Sequence, residues 1–150
     1  MSQRNVDAVR RWLDAYNSRD FEALIEITDP DFEFRSRFVA IESGFRGYER
    51  FPHAYFKTLD EAYDRFQVIP SDFIDAGAAV LTVADAEWRG KASGAEGSLP
   101  IFVASWLRAG KMIWTETFTD RAEALEAVGL SEQPRTEGSK PSEAVRDSRP

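Results

Sequence analysis

The sequence contains no cysteine and only one histidine, His53, in 150 residues. Without thiols, a disulfide framework, a cysteine nucleophile and a thiolate metal site are all excluded. A single histidine also leaves too few nitrogen ligands for a zinc cluster. We therefore predict that the protein holds no metal and uses no cofactor.

Long hydrophobic runs are missing as well. No apolar stretch approaches the roughly 20 residues that span a bilayer, and the first residues lack the apolar region of a signal peptide. Basic residues are outnumbered, with 19 Lys and Arg against 26 Asp and Glu, which gives a net charge of −7. Because phosphate backbones are bound by clustered Lys and Arg, we expect no nucleic-acid partner. These absences predict a cytoplasmic protein with no membrane partner.

Apolar and aromatic residues are abundant. Hydrophobic residues make up 43% of the chain, and eleven Phe, four Trp and four Tyr are among them. This composition predicts one folded domain over residues 1–130. Residues 131–150 contain three prolines, and Ala144 and Val145 are their only aliphatic residues. That segment cannot form a core, so we predict a disordered C-terminal tail.

The spacing of apolar residues predicts the elements. Helical periodicity indicates helices over 5–18 and 51–62, a short helix after Asp20 that Asp29-Pro30 ends, and a last helix over 121–128. Alternation indicates strands over 32–38, 65–74, 78–89, 99–107 and 112–119, with Ala109-Gly110 as a hairpin turn. Hairpin-linked strands pair antiparallel. We predict an α+β fold in which a strongly curved sheet wraps over the N-terminal helices as a cone with one open end.

Three separated segments resemble a known family. They are the run from Trp12 to Asp20, the run from Phe45 to Phe51, and the ending that includes Ala109-Gly110-Lys111 and Phe118-Thr119-Asp120-Arg121. Together they are similar to the SnoaL-like branch of the nuclear-transport-factor-2-like superfamily, over roughly residues 5 to 130. The resemblance implies an NTF2-like cone with a curved antiparallel or mixed sheet. Because the superfamily includes isomerases, cyclases, hydrolases, dehydratases and proteins without chemistry, the activity depends on the site.

The steroid-isomerase-like members of this superfamily use a carboxylate base, a tyrosine and a protonated aspartate. The resemblance places these roles at Ser36, Trp12 and Ala104, and none of the three residues matches. The resemblance therefore does not carry the isomerase machinery to this chain.

Epoxide-hydrolase-like members use an Asp-Arg-Asp arrangement, which activates a water molecule and protonates the epoxide. The corresponding positions hold Ala84, Ala86 and Thr117, so this machinery is not matched either. The alignment also points the side chain of Thr117 into the cone.

Four titratable residues are the candidates for proton transfer. His53 has an ordinary pKa near neutrality, but helical periodicity puts it on the outer side of its helix. Glu116, Asp85 and Glu87 would have raised pKa values inside an aromatic pocket and could take a proton next to a carbonyl. The structural alternative is that these acids lie on the outer face of the sheet, and we favour that alternative for each of them.

Aromatic residues and a few hydroxyls could wall a pocket for a flat apolar molecule, since ligand pockets are mostly apolar. The expected ligand-binding residues are Trp12, Tyr16, Phe34, Ser36, Tyr55, Phe56, Phe102, Trp106, Trp114 and Thr117. The same side chains could instead be ordinary core. Their number exceeds what a minimal core requires, which favours a pocket.

Two functions stay open on the sequence. One is cofactor-free proton transfer, such as isomerisation, cyclisation or dehydration of a small apolar molecule. The other is a non-catalytic protein that binds a ligand or only dimerises. In both cases we expect a homodimer through the outer face of the sheet, because residues 103, 106, 107, 112 and 113 make the last strands apolar on both faces.

Overall fold

A computed structural model of the protein describes residues 2–36, 45–46 and 51–130. The helices are α1 (Ser2–Ser18), α2 (Phe21–Glu26), α3 (His53–Ala62) and α4 (Arg121–Ala127). The strands are β1 (Thr28–Arg35), β2 (Phe45–Arg46), β3 (Tyr63–Asp75), β4 (Ala79–Gly90), β5 (Glu96–Arg108) and β6 (Lys111–Phe118). The predicted tail, 131–150, lies outside the described residues. So does the predicted continuation of the first strand over 37–38.

The strands form one mixed sheet in the order β2-β1-β6-β5-β4-β3. β1 runs parallel to β6, and all the other neighbouring pairs are antiparallel. Three successive hairpin-linked pairs, from β3 to β6, follow from the alternating pattern and the turn residues of the sequence. The predicted α+β fold with a curved sheet over N-terminal helices is confirmed.

The sheet is covered on both faces. Its inner face packs against α1 and α3 around the main core, which includes Trp12, Phe51 and Leu59. On the outer face, α4 places Ala124 and Leu125 against a second, smaller cluster. The last helix of this chain therefore covers part of the apolar outer face of β5 and β6.

The first strand begins earlier than the sequence predicts. Asp29-Pro30 was expected to end α2, but α2 ends at Glu26 and Pro30 lies within β1. The pairing of β1 with β6 is irregular between Thr28 and Glu33. Pro30 is tolerated there because its missing N–H is not needed where the ladder is interrupted.

A side-chain amide at the end of α1 binds the free edge of the sheet. Asn17 Nδ2 donates to the Val68 carbonyl at 2.8 Å, and the Val68 N–H donates to Asn17 Oδ1 at 2.9 Å. Gln67 Nε2 also donates to the Asn17 carbonyl at 3.1 Å. β3 is an edge strand, so these bonds satisfy backbone groups that would otherwise be unpaired. Asn17 thereby fixes α1 across the inner face.

Replacing Asn17 with Ala is expected to lower the free energy of unfolding by about 2 kcal/mol, because the N–H and C=O of Val68 both lose a half-buried partner. Asn17→Asp should cost at least as much, since the carboxylate still accepts from the N–H but places a negative oxygen against the Val68 carbonyl at the end of a helix. Urea unfolding followed by circular dichroism measures both variants. Equal stability of Asn17→Ala and the unsubstituted protein would contradict this role.

Candidate functional site

An apolar cavity lies between α1, α3 and the inner face of the sheet. Its walls include six of the residues expected from the sequence: Trp12, Tyr16, Phe34, Ser36, Tyr55 and Thr117. Five further residues complete them: Leu13, Phe66, Val68, Ile101 and Val103. The space left between these side chains is only about 10 Å³. That volume has barely room for one water molecule, so any larger ligand requires side chains to separate.

Three hydroxyls form a short chain on the cavity wall. The Tyr16 and Tyr55 hydroxyl oxygens are 2.6 Å apart, and Tyr55 Oη also donates to Ser36 Oγ at 3.5 Å. The tyrosines come from α1 and α3, and both are at most 2% exposed. A phenol carries one proton, so the direction of one bond in this chain sets the direction of the next. The chain offers hydroxyl donors in otherwise apolar surroundings.

Burial keeps both phenols protonated. Burial, together with the neighbouring Tyr55, raises the pKa of Tyr16 well above its ordinary value of 10.0. Burial raises the pKa of Tyr55 to about 12, against a smaller opposing effect of its hydrogen bonds to Ser36 and Tyr16. Near neutral pH the pair therefore donates hydrogen bonds and does not act as a base.

A cluster of rings holds these tyrosines in place. Trp12 stacks on Phe51 with ring centroids 5.5 Å apart and an 8° angle between the planes. Phe34 lies 4.8 Å from Tyr55, and Phe56 meets Tyr16 edge to face at 4.9 Å. Because each ring contacts several others, the hydroxyl of Tyr16 has little freedom to move.

Trp12 does not present its N–H to the cavity. Trp12 Nε1 donates to Thr28 Oγ1 at 3.1 Å, and Thr28 Oγ1 donates in turn to the Leu24 carbonyl. The indole therefore contributes an apolar surface to the site and ties α1 to the start of β1.

Three expected wall residues lie on the wrong side of the sheet. Phe102 and Trp106 pack in the outer cluster with α4, and Trp114 pairs with Trp106 across β5 and β6. Their prediction as pocket residues is wrong, because inward residues alternate and Ile101 and Val103 occupy the inward positions of β5.

The pairing of β5 with β6 decides which residues of β5 point inward. Thr117 is the register partner of Val103, so both side chains share a face and Phe102, one residue away, must point outward. The aromatic size of Phe102 misled the prediction. β5 is apolar on both faces and alternation alone does not select one.

Phe56 is buried but is not a wall residue. It packs behind Tyr16 and stacks on Phe21 at 5.4 Å. It belongs to the ring cluster that supports the two phenols.

None of the candidate proton-transfer residues faces the cavity. His53 is exposed at the start of α3, with its ring edge to face against Phe21 at 4.7 Å. Asp85 is exposed. Asp85 and Glu87 point to the same face of β4 as Leu81, which packs in the outer cluster. Glu116 pairs in register with Ala104, which packs in the outer cluster, and accepts from Trp114 Nε1 at 3.4 Å. Asp85, Glu87 and Glu116 thus lie on the outer face of the sheet.

Two inner hydroxyls are unusual. Thr82 Oγ1 and Thr115 Oγ1 are buried and have no hydrogen-bond partner among the described residues. Thr82 pairs with Val103, and Thr115 pairs with Phe34, so both lie next to walls of the cavity. They add two polar atoms to a largely apolar interior.

The described part of the chain contains no group of three His, Cys, Asp or Glu residues that could hold a metal ion. Within the same residues, no helix is both long and apolar enough to cross a membrane.

The sequence model of the SnoaL-like domain matches residues 9–115, which is more than half of the chain. The chain belongs to the SnoaL-like domain family. The family predicted from the sequence is confirmed. No curated protein matches the sequence.

Solved structures show the same NTF2-like fold. An NTF2-like protein of unknown function from Burkholderia pseudomallei K96243 has a TM-score of 0.70 at 17% identity, covering 81% of this chain and 95% of that chain. TerC, co-crystallised with polyporic acid, has a TM-score of 0.70 at 18% identity, with coverages of 83% and 98%.

A third structure, from Jannaschia sp. CCS1, is described as a proposed SnoaL-like polyketide cyclase. It has a TM-score of 0.68 at 22% identity, and the match covers 89% of this chain and 95% of the Jannaschia chain. At these identities the similarity shows the fold alone, and the chemistry must come from the residues of this chain.

Proposed function

We propose that the protein binds a small, flat, largely apolar molecule that carries a carbonyl or hydroxyl oxygen, and that Tyr16 and Tyr55 bind this oxygen. The main support is the hydroxyl pair. The hydroxyl oxygens of two buried phenols lie 2.6 Å apart at the wall of an apolar cavity. A ligand oxygen that inserts beside them would accept the proton that Tyr55 now donates to Ser36 over 3.5 Å, while Tyr16 donates to Tyr55. Such a bond is strong in surroundings of low dielectric. The aromatic walls would contact the two faces of a flat molecule.

Binding without catalysis is favoured over proton transfer. Isomerisation or cyclisation needs a group that takes a proton near neutral pH. Among the described residues, His53, Asp85, Glu87 and Glu116 point away from the cavity, and the two phenols stay protonated. The fold relative described as a proposed polyketide cyclase suggests the class of flat, oxygen-bearing ligands.

A homodimer through the outer face stays a prediction. α4 covers part of that face, and Val103, Leu107 and Met112 belong to the main core, so these three residues do not need a partner chain. Trp106 remains half-buried on the outer side.

The binding proposal is tested with two bicyclic probes that differ in one oxygen, the ketone 1-tetralone and the hydrocarbon tetralin. We expect the ketone to bind about tenfold more tightly, which corresponds to one hydrogen bond of about 1.4 kcal/mol. Protein-observed NMR titration measures both affinities. In Tyr16→Phe and Tyr55→Phe the preference for the ketone should fall toward equality, while tetralin binding changes little.

Tyr63→Phe is the matched control, because Tyr63 is not a wall of the cavity. It should keep the full preference for the ketone. Failure of both probes to bind would reject the pocket. Binding with an unchanged preference in the Tyr16 and Tyr55 variants would reject the role of the phenols.

A further inference from the structure

A second concavity lies on the other side of α1 and shares no wall residue with the aromatic cavity. This groove is formed by α1, the end of α2 and the β5–β6 turn, and its volume is about 730 Å³. Buried Ala8 and Ile27 form its floor. Its size is within the range of about 300–1,000 Å³ that is typical of small-molecule sites.

Three cations line the groove. Arg4 and Arg11 lie two turns apart on one side of α1, and Lys111 begins β6. None of the three has a carboxylate within 4 Å among the described residues. Ion pairs do form at four other arginines: Arg19, Arg35, Arg89 and Arg108. Three cations that form no close ion pair, in a chain of net charge −7, make this groove a candidate site for an anion.

The groove also contains two carboxylates. Asp7 accepts from Gln3 Nε2 at 2.9 Å, and Glu26 ends α2 beside the groove. The five charged side chains leave an excess of one positive charge. The carboxylates can accept hydrogen bonds from hydroxyl groups, so the groove suits an anion that carries hydroxyls more than a bare ion.

The turn that closes the groove adds no carboxylate of its own beside Lys111, whose charge already interacts with that of Asp29. Ala109 and Gly110 both have positive φ, 54° and 79°. Asn, Asp and Gly are favoured in such turns, and Ala is not. An Asp at position 109 would suit the backbone and would add a carboxylate at the groove. The Arg4 guanidinium lies over this turn, with its Nη2 at the ordinary contact distance of 3.6 Å from the place that a Cβ of Gly110 would take.

We propose that this groove binds a small hydroxylated organic anion, such as a sugar phosphate or a hydroxy acid, through Arg4, Arg11 and Lys111. The site is separate from the aromatic cavity and does not depend on the function proposed for it.

The test titrates the full chain with glucose 6-phosphate and follows the amide signals of residues 110 and 111 by NMR. We expect saturable shifts with the phosphate ester and none with glucose. Added salt should weaken binding, since the site is open to solvent. Arg11→Gln should reduce affinity by about tenfold through loss of a charge-assisted contact. Lys57→Gln, which removes a surface cation paired with Glu61, should leave affinity unchanged.

A pair of turn variants separates charge from folding. Ala109→Asn and Ala109→Asp both suit positive φ, but only Asp adds a negative charge. We expect Ala109→Asp to weaken glucose 6-phosphate binding by about threefold or more and Ala109→Asn to leave it unchanged. No saturable shift, equal binding of glucose, unchanged affinity in Arg11→Gln, or equal losses in the two turn variants would each overturn the proposal.

Discussion

Replacing Trp12 with Ala is expected to lower the free energy of unfolding by about 3–5 kcal/mol, a large fraction of the stability of a domain of this size. Trp12 is 1% exposed. Its ring lies within 6.0 Å of the rings of Tyr16, Phe32, Phe34 and Phe51. Truncation would leave a cavity in the middle of this ring cluster, and the clustered rings can close it only in part.

Loss of the Trp12 N–H adds a smaller cost. Thr28 Oγ1 accepts from Trp12 and donates to the Leu24 carbonyl, so Trp12→Phe keeps most of the volume and removes only the first bond. We expect Trp12→Phe to cost about 1–2 kcal/mol. Chemical denaturation monitored by far-UV circular dichroism gives all of these values.

Trp106 provides the matched comparison on the other face of the sheet. It is half-buried and packs at the edge of the outer cluster, so Trp106→Ala should cost less than Trp12→Ala. If Trp106→Ala is the more damaging variant, or if Trp12→Ala costs under about 1 kcal/mol, the assignment of the two faces is wrong.

The helices and strands were accessible from the sequence because their apolar periodicities are strong. Val6, Val9 and Leu13 recur at helical spacing, and they lie in the main core. The sequence does not predict in the same way which residues of β5 point into the core. Both Phe102 and Val103 are apolar, and the choice between them is made by the docking of α1 on one face and α4 on the other.

The contact between the Tyr16 and Tyr55 hydroxyls could not be predicted from the sequence. Tyr16 and Tyr55 were both expected to be wall residues, but they are 39 residues apart, and nothing local indicates that their oxygens meet. Their contact depends on how α1 and α3 cross the sheet. The sequence does not single out Phe66 and Val68, the residues of β3 that reach the cavity, because alternation alone does not show which face of a strand lines a pocket.

The two phenols also predict how the stability of the fold depends on pH. In the unfolded chain a tyrosine loses its proton near pH 10. In the folded protein burial raises the pKa of Tyr55 to about 12 and that of Tyr16 in the same direction. Between these values the unfolded state binds fewer protons than the folded state, so stability falls as the pH rises. The contribution is complete below pH 10 and is lost as the pH approaches about 12.

For Tyr55 alone, this loss amounts to about 2–3 kcal/mol, because each pKa unit corresponds to about 1.4 kcal/mol. Urea unfolding at a series of pH values from 8 to about 12 measures it. The stability difference between the unsubstituted protein and Tyr55→Phe removes the groups outside the Tyr16–Tyr55 pair that titrate in this range. It should shrink by at least that amount as the pH rises, because Tyr55 also raises the pKa of Tyr16. A difference that stays constant with pH would mean that the Tyr55 hydroxyl is hydrated in the folded state, and the closed cavity would then be the wrong description of this interior.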